Sequence, residues 1–206
     1  MFFDPRVDVR PAPLTHNPLN ALVAPRPIGW IGTVSATGAE NLAPFSYFNA
    51  FSADPPVVGF APNARQDGAG AKDTLANVRA VPEFTASVVS RPLAEAMNQT
   101  SQVLAAGESE FRLAGLTSAP SRMVRPPHVG EARAVLECRV VEIVSLPRRP
   151  GGRGSYLVIG EVVGIHIDDD LIKDGRVDSL ALAQVARLGY FDYCSVATLF
   201  EMPRPD

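Results

Sequence analysis

Residues 28–36 are rich in Ile, Val, Thr and Trp, and they end at Thr37-Gly-Ala, a turn signal. Residues 41–51 follow with aromatic and apolar positions, so the two stretches read as a hairpin. Pro55-Pro56 stops it, and residues 57–61 supply a third short strand. A helical pattern begins near Asp73, a suitable N-cap, and continues through Leu75, Val78 and Arg79 until Val81-Pro82 ends it. Residues 83–90 alternate as a fourth strand. Pro92 stands where a helix can start, and Leu93, Ala96, Met97, Thr100 and Leu104 recur near the 3.6 period, which predicts a helix over 92–104. Residues 134–146 and 156–167 are long β-branched runs separated by a loop rich in Gly, Pro and Arg that includes Arg148, Arg149 and Arg153; they are the two longest expected strands. Residues 180–188 read as a short helix and 191–199 as a final strand or tail. The first 27 residues are rich in proline and poor in periodic apolar positions, so they form an extended arm with a turn at 20–23.

Strands therefore predominate, with helices inserted between them, which predicts an antiparallel barrel. A chain of 206 residues with no internal linker-like tract favours one domain, residues 1–206, carrying the arm as an extension. Net charge is −3 with both signs interspersed, and the basic stripe of a nucleic-acid-binding surface is missing. No stretch approaches the roughly 18 consecutive apolar residues of a membrane span. The start of the chain lacks the pattern of a secretory leader. Cys138 and Cys194 are far apart, which indicates neither a disulfide framework nor a zinc site. The expectation is a soluble cytoplasmic protein.

Chemistry concentrates between residues 26 and 74. In Arg65-Gln-Asp-Gly-Ala-Gly-Ala-Lys-Asp-Thr74 glycines loosen the backbone directly before a helix start, and Arg65 and Lys72 can neutralise an anion. Free N–H groups and the positive end of a helix dipole suit a phosphate there. The run is neither a P-loop nor a dinucleotide fingerprint, because the final Gly-Lys-Ser/Thr and the third Gly are absent. An aromatic strand pair beside such a loop points to a flat, phosphorylated cofactor.

Arg26-Pro-Ile-Gly-Trp, Asn41-Leu-Ala-Pro-Phe-Ser-Tyr-Phe-Asn49, Asp54-Pro-Pro, Lys72-Asp-Thr-Leu-Ala-Asn and Glu83-Phe, with a weaker likeness through Leu136-Glu-Cys and Arg187-Leu-Gly-Tyr190, resemble the flavin reductase-like family of FMN-binding split barrels. The resemblance implies a mainly β fold with inserted helices, a six-stranded antiparallel split barrel, usually homodimeric, holding FMN without a covalent bond near the subunit interface. It also implies hydride transfer from NADH or NADPH to flavin, with a monooxygenase or another acceptor downstream. Family members without a nicotinamide site leave an FMN-bearing electron carrier as the other reading.

On that likeness Arg65 and Lys72 contact the FMN phosphate, Thr74 donates to it, and Asp73 caps the helix beside it. Ala43, Pro44 and Phe48 belong to the cofactor-binding motif, and Arg187 and Tyr190 close over the cofactor. Tyr190 stands where many relatives are expected to carry glycine. Thr33, Ser35, Asn41, Ser46 and Asn49 form a polar set within an apolar hairpin, and buried polar groups need partners. Either a flavin edge or cross-strand hydrogen bonding supplies them. Trp30 is expected near the ring or the ribityl chain, or in the barrel core. His128 is the candidate for catalytic proton exchange at a flavin nitrogen, since its ordinary pKa near 6.5 permits it.

Overall fold

The computed structural model describes residues 1–6, 10–62, 73–104, 108–148, 150–152 and 154–205. Seven strands make its main sheet: β1 (Gly29–Val34), β2 (Glu40–Phe45), β3 (Phe48–Ala53), β4 (Pro56–Phe60), β5 (Glu83–Val88), β6 (Ala134–Ser145) and β7 (Tyr156–Ile167). Across the sheet the order is β2-β1-β5-β6-β7-β4-β3, with antiparallel pairing throughout. The two edge strands, β2 and β3, are separated in the chain only by Ser46 and Tyr47. The sheet must therefore curl until its edges approach, which makes a split barrel. The single strand expected over 41–51 is thus one strand bent at Ser46 and Tyr47. Counted that way, the barrel has the six strands the family likeness implies.

Alternation along each strand sends one set of side chains into the barrel and the next outward. Ile31, Phe45, Phe60, Phe84, Cys138 and Val158 fill the interior. The Phe60 ring stands 5.1 Å from both Phe45 and Phe84, centroid to centroid. Trp30, Leu42, Val89, Met97, Phe111, Val129 and Val185 make a second cluster outside. Strand β1 is buried at every position because it lies between the two, which is why it reads as a continuous apolar run.

The outer layer comes from short elements. Helix α1 (Leu19–Leu22) is a single turn in the arm, α2 (Asp73–Ala80) packs on β1 and β2, and α3 (Ala94–Gln99) follows a 3-10 turn at Arg91–Leu93. The helix expected over 92–104 ends at Gln99, because the Thr100 hydroxyl turns back to donate to the Met97 carbonyl at 2.7 Å. Helices α4 (Glu110–Leu113) and α5 (Ser179–Leu182) are again single turns. The helix expected over 180–188 is corrected: α5 stops at Ala183, whose φ of 47° lies in the left-handed region. The chain then forms β8 (Val185–Arg187), which pairs with β9 (Tyr193–Ser195) and with Arg26–Pro27.

Buried Arg26 ties the arm to this hairpin. Its guanidinium donates to the carbonyls of Asn20 (2.5 Å), Val23 and Leu188 (2.9 Å). Residues 118–129 lie over the outer face of β1 and β5, where Thr85 Oγ1 donates to the Pro127 carbonyl at 2.7 Å. A Cβ at Gly32 would collide with that carbonyl, so glycine is what lets the segment sit so close.

Candidate functional site

Helix α2 meets the sheet through a buried polar network. Asn41 Nδ2 donates to Thr74 Oγ1 at 3.0 Å and to Thr33 Oγ1 at 3.4 Å, and Asn77 Nδ2 donates to Thr33 Oγ1 at 3.1 Å. All four residues are buried. The first turn of α2, carrying Asp73 and Thr74, is thereby fastened to the start of β2. Thr33 and Asn41 meet across the hairpin, the cross-strand alternative raised above, and Thr74 on α2 joins them through Asn41. Asn77 was legible in the same motif, three residues beyond Thr74 on one helix face. Arg65 and Lys72, and Arg149 and Arg153 of the long hairpin, lie outside the described residues.

Strand β2 has a free edge. Its Leu42 N–H points away from β1 and is taken by Glu110 Oε2 at 3.1 Å; two residues on, Pro44 has no N–H. Burial pushes the Glu110 carboxyl above its ordinary value, and the negative charge of Asp73 acts in the same direction. Beyond this edge a cleft opens between β2, α3 and the β8–β9 hairpin. Its narrow end, about 160 Å³, is lined by Ile28, Pro44, Ser46 and Ser101, and its wide end, about 600 Å³, by Arg91, Glu95, Val185 and Cys194. Met97, Asn98, Arg187 and Tyr193 wall both ends. Arg187 lies over the Tyr193 ring, 4.4 Å from its centroid, and donates to the Tyr193 hydroxyl and the Tyr190 carbonyl.

The structure thus gathers Pro44, Ser46 and Arg187 in one cleft. Tyr190 is exposed beside it, with φ at 58° in the region glycine favours, and its ring meets His16 edge-on at 5.4 Å. Ala43 and Phe48 pack on the barrel interior. Ser35 belongs to the turn after β1, where its hydroxyl meets Thr37 and accepts from the Ala39 N–H. Asn49 is exposed on β3 and accepts from the Ala50 N–H. Trp30 is corrected to core: it is fully enclosed, and its indole N–H donates to Thr100 Oγ1 at 2.9 Å. Tyr193, Asn98 and Arg91 also line the cleft, and nothing in their local sequence brings residues 91–98 and 193 together.

His128 lines neither end of this cleft. It sits on the outer barrel face, its ring 5.0 Å from that of His166, and its Nδ1 is buried with no partner. His166 Nε2 meets the fully buried Glu137 carboxylate at 2.5 Å. Glu137 also accepts from the N–H groups of Arg122 (2.9 Å), Met123 (2.6 Å) and Val124 (3.2 Å). Burial first, and then His166, hold the His128 pKa below its ordinary value. Among the described residues no group of three His, Cys, Asp or Glu side chains is placed to hold a metal ion, and no helix is long and apolar enough to cross a membrane.

The family model described as a flavin reductase like domain matches residues 22–190. The chain is similar to an uncharacterized protein of Halalkalibacterium halodurans, 38% identical over 183 residues, covering 89% of this chain and 87% of the relative. Among solved structures it is similar to nitrilotriacetate monooxygenase component B from Bacillus cereus, with a TM-score of 0.83 and 29% identity over 94% of this chain and 100% of the other. It is also similar to the 2-nitrobenzoate 2-nitroreductase of Pseudomonas fluorescens, with a TM-score of 0.78 and 26% identity over 91% and 88% of the two chains.

Proposed function

The chain belongs to the flavin reductase-like family, and from that membership we propose that it is an FMN-dependent oxidoreductase, taking hydride from NADH or NADPH and passing reducing equivalents to free flavin or another small acceptor. The observation that carries this reading is the cleft at the free edge of β2. Its narrow end runs along Pro44 and Ser46, and its wide end, about 600 Å³, leaves room for a second molecule beside a bound flavin.

The residues present fit such a group. Asn41 joins the start of β2 to Thr74 in the first turn of α2, and a phosphate at that helix start would meet the N–H groups of a helix N-terminus and, from the adjoining loop, Arg65 and Lys72. Three residues further along the same strand, about 10 Å at strand rise, Pro44 faces the cleft. When bound, FMN supplies the redox chemistry of its isoalloxazine ring, while the chain supplies position and electrostatics. Pro44 and Ser46 would line one side of the ring, with Tyr193 on the opposite wall.

We further read the chain as one domain acting as a homodimer. Leu22, Val23, Tyr47 and Phe191 leave large apolar surface exposed around the arm and the β8–β9 hairpin, as an interface would. Because the Bacillus cereus protein is a monooxygenase component, delivery of reduced flavin to a separate monooxygenase is one form the acceptor takes. The test is anaerobic stopped-flow mixing of the FMN-loaded protein with NADH and with NADPH. The flavin's visible absorbance should bleach with at least one of them; bleaching by dithionite alone would replace this reading with an FMN electron carrier.

A further inference from the structure

We propose that the wide end of the cleft is a subsite for a singly charged, apolar organic acid, anchored through its carboxylate by Arg187. Its role as a substrate subsite rests on the oxidoreductase reading above; the binding chemistry does not. Arg187 is held in place by stacking on Tyr193 and by hydrogen bonds to the Tyr193 hydroxyl and the Tyr190 carbonyl. Those partners are neutral, and among the described residues no carboxylate pairs with it, so none of them offsets its charge. A guanidinium has five N–H donors in a planar fork, and two are engaged here. The remaining donors match the geometry of a carboxylate, and a side chain already fixed loses little freedom on binding.

The other charges in the wall set the charge of the ligand. Arg91 and Glu95 also line this end, and their opposite formal charges cancel in the sum over the lining side chains. Arg187 is left as the one net cation, which favours a monoanion over a phosphate. Phe191 and the Tyr193 ring give this end exposed apolar surface beside its polar groups, and buried Met97 and Val185 adjoin it. An acid with an aromatic or branched body fits that combination. Because Arg187 also walls the narrow end, an acid held there would direct its body toward the ring that Pro44 and Ser46 would line.

Calorimetric titration with benzoate, with its neutral isostere benzamide and with inorganic phosphate tests the proposal. Wild-type protein should bind benzoate at least about tenfold more tightly than benzamide, a margin expected of one charge-assisted pair. Arg187→Gln should erase that preference, and Arg187→Lys should restore part of it. FMN titration of the same variants checks their fold and separates the two readings. Arg187→Gln should keep FMN while losing its preference for benzoate; loss of both together would assign Arg187 to the cofactor and overturn the subsite. Equal binding of benzoate and benzamide by the wild type, or displacement of benzoate by phosphate at lower concentration, would also overturn it. A wild type that prefers benzoate yet takes up no FMN would leave the subsite standing and remove the oxidoreductase reading.

Discussion

Glu137 on β6 and His166 on β7 are diagonal neighbours across the two longest strands, with 2.5 Å between Oε1 and Nε2. The carboxylate is fully buried and also gathers three consecutive backbone N–H groups from residues 122–124. It therefore fastens the outer segment to the sheet. Glu137→Gln should destabilise the fold by about 3 kcal/mol, since buried donors lose a charged acceptor. Burial alone would raise the pKa of this carboxyl, but the Arg122 N–H, His166 and the Met123 N–H outweigh it, and the net shift is downward. Its contribution is then complete above the unfolded value of 4.5 and lost as pH falls through the lower folded value. Urea unfolding of wild type and variant across that acid range checks both statements.

The neighbouring His128 gives a second pH dependence. Its folded pKa is lowered, so below the unfolded value of 6.5 the unfolded chain binds the proton more readily than the folded one. Stability should decline as pH falls from 6.5 and level off once the folded value is passed. In His128→Asn the melting temperature should lose this slope; an unchanged slope would assign it to other groups.

Trp30 and Thr100 are joined at 2.9 Å inside the outer cluster. Thr100→Val keeps the shape of the side chain but leaves the indole N–H buried without an acceptor, which should cost roughly 1 to 3 kcal/mol. Trp30→Phe together with Thr100→Val should be less destabilising than the sum of the single changes. Additive losses in denaturant melts would show that the bond carries no coupling energy.

Tyr190 holds φ at 58°, a conformation that costs a non-glycine residue roughly 1 to 2 kcal/mol. Tyr190→Gly removes that strain at some cost in unfolded-state entropy, so the melting temperature should hold or rise. NADH-driven flavin reduction should be unchanged or faster, since the ring at the rim is gone. A marked loss of stability would mean that the contact with His16 outweighs the backbone strain.

Lys72→Ala should weaken FMN by roughly tenfold to a hundredfold, the effect of one charge-assisted contact to phosphate of about 1.5 to 3 kcal/mol. Riboflavin, which lacks the phosphate, should bind the wild type more weakly and be indifferent to the substitution. Superimposable titration curves for FMN and riboflavin would remove the phosphate assignment from the Arg65–Thr74 loop.

The sequence alone determined most strands of the main sheet. β-Branched and aromatic residues with period two, closed by Gly and Pro, are local signals, and residues 156–167 were read with the bounds they have in β7. It also carried the family, because Asn41 to Asn49 and Lys72 to Asn77 stand in an order and spacing that one segment suffices to display. Only the tertiary structure decided what each polar side chain faces. Thr74 lies 33 residues from Asn41 in the chain, and whether Thr33, Asn41 and Thr74 meet a ligand or one another depends on how α2 docks. The bend at Ser46 and Tyr47 follows from closing a seven-strand sheet on itself, and no residue there announces it. The cleft is the same kind of fact: Pro44, Asn98, Arg187 and Tyr193 come from three separate segments, and only long-range packing, which local sequence does not encode, brings them to one wall.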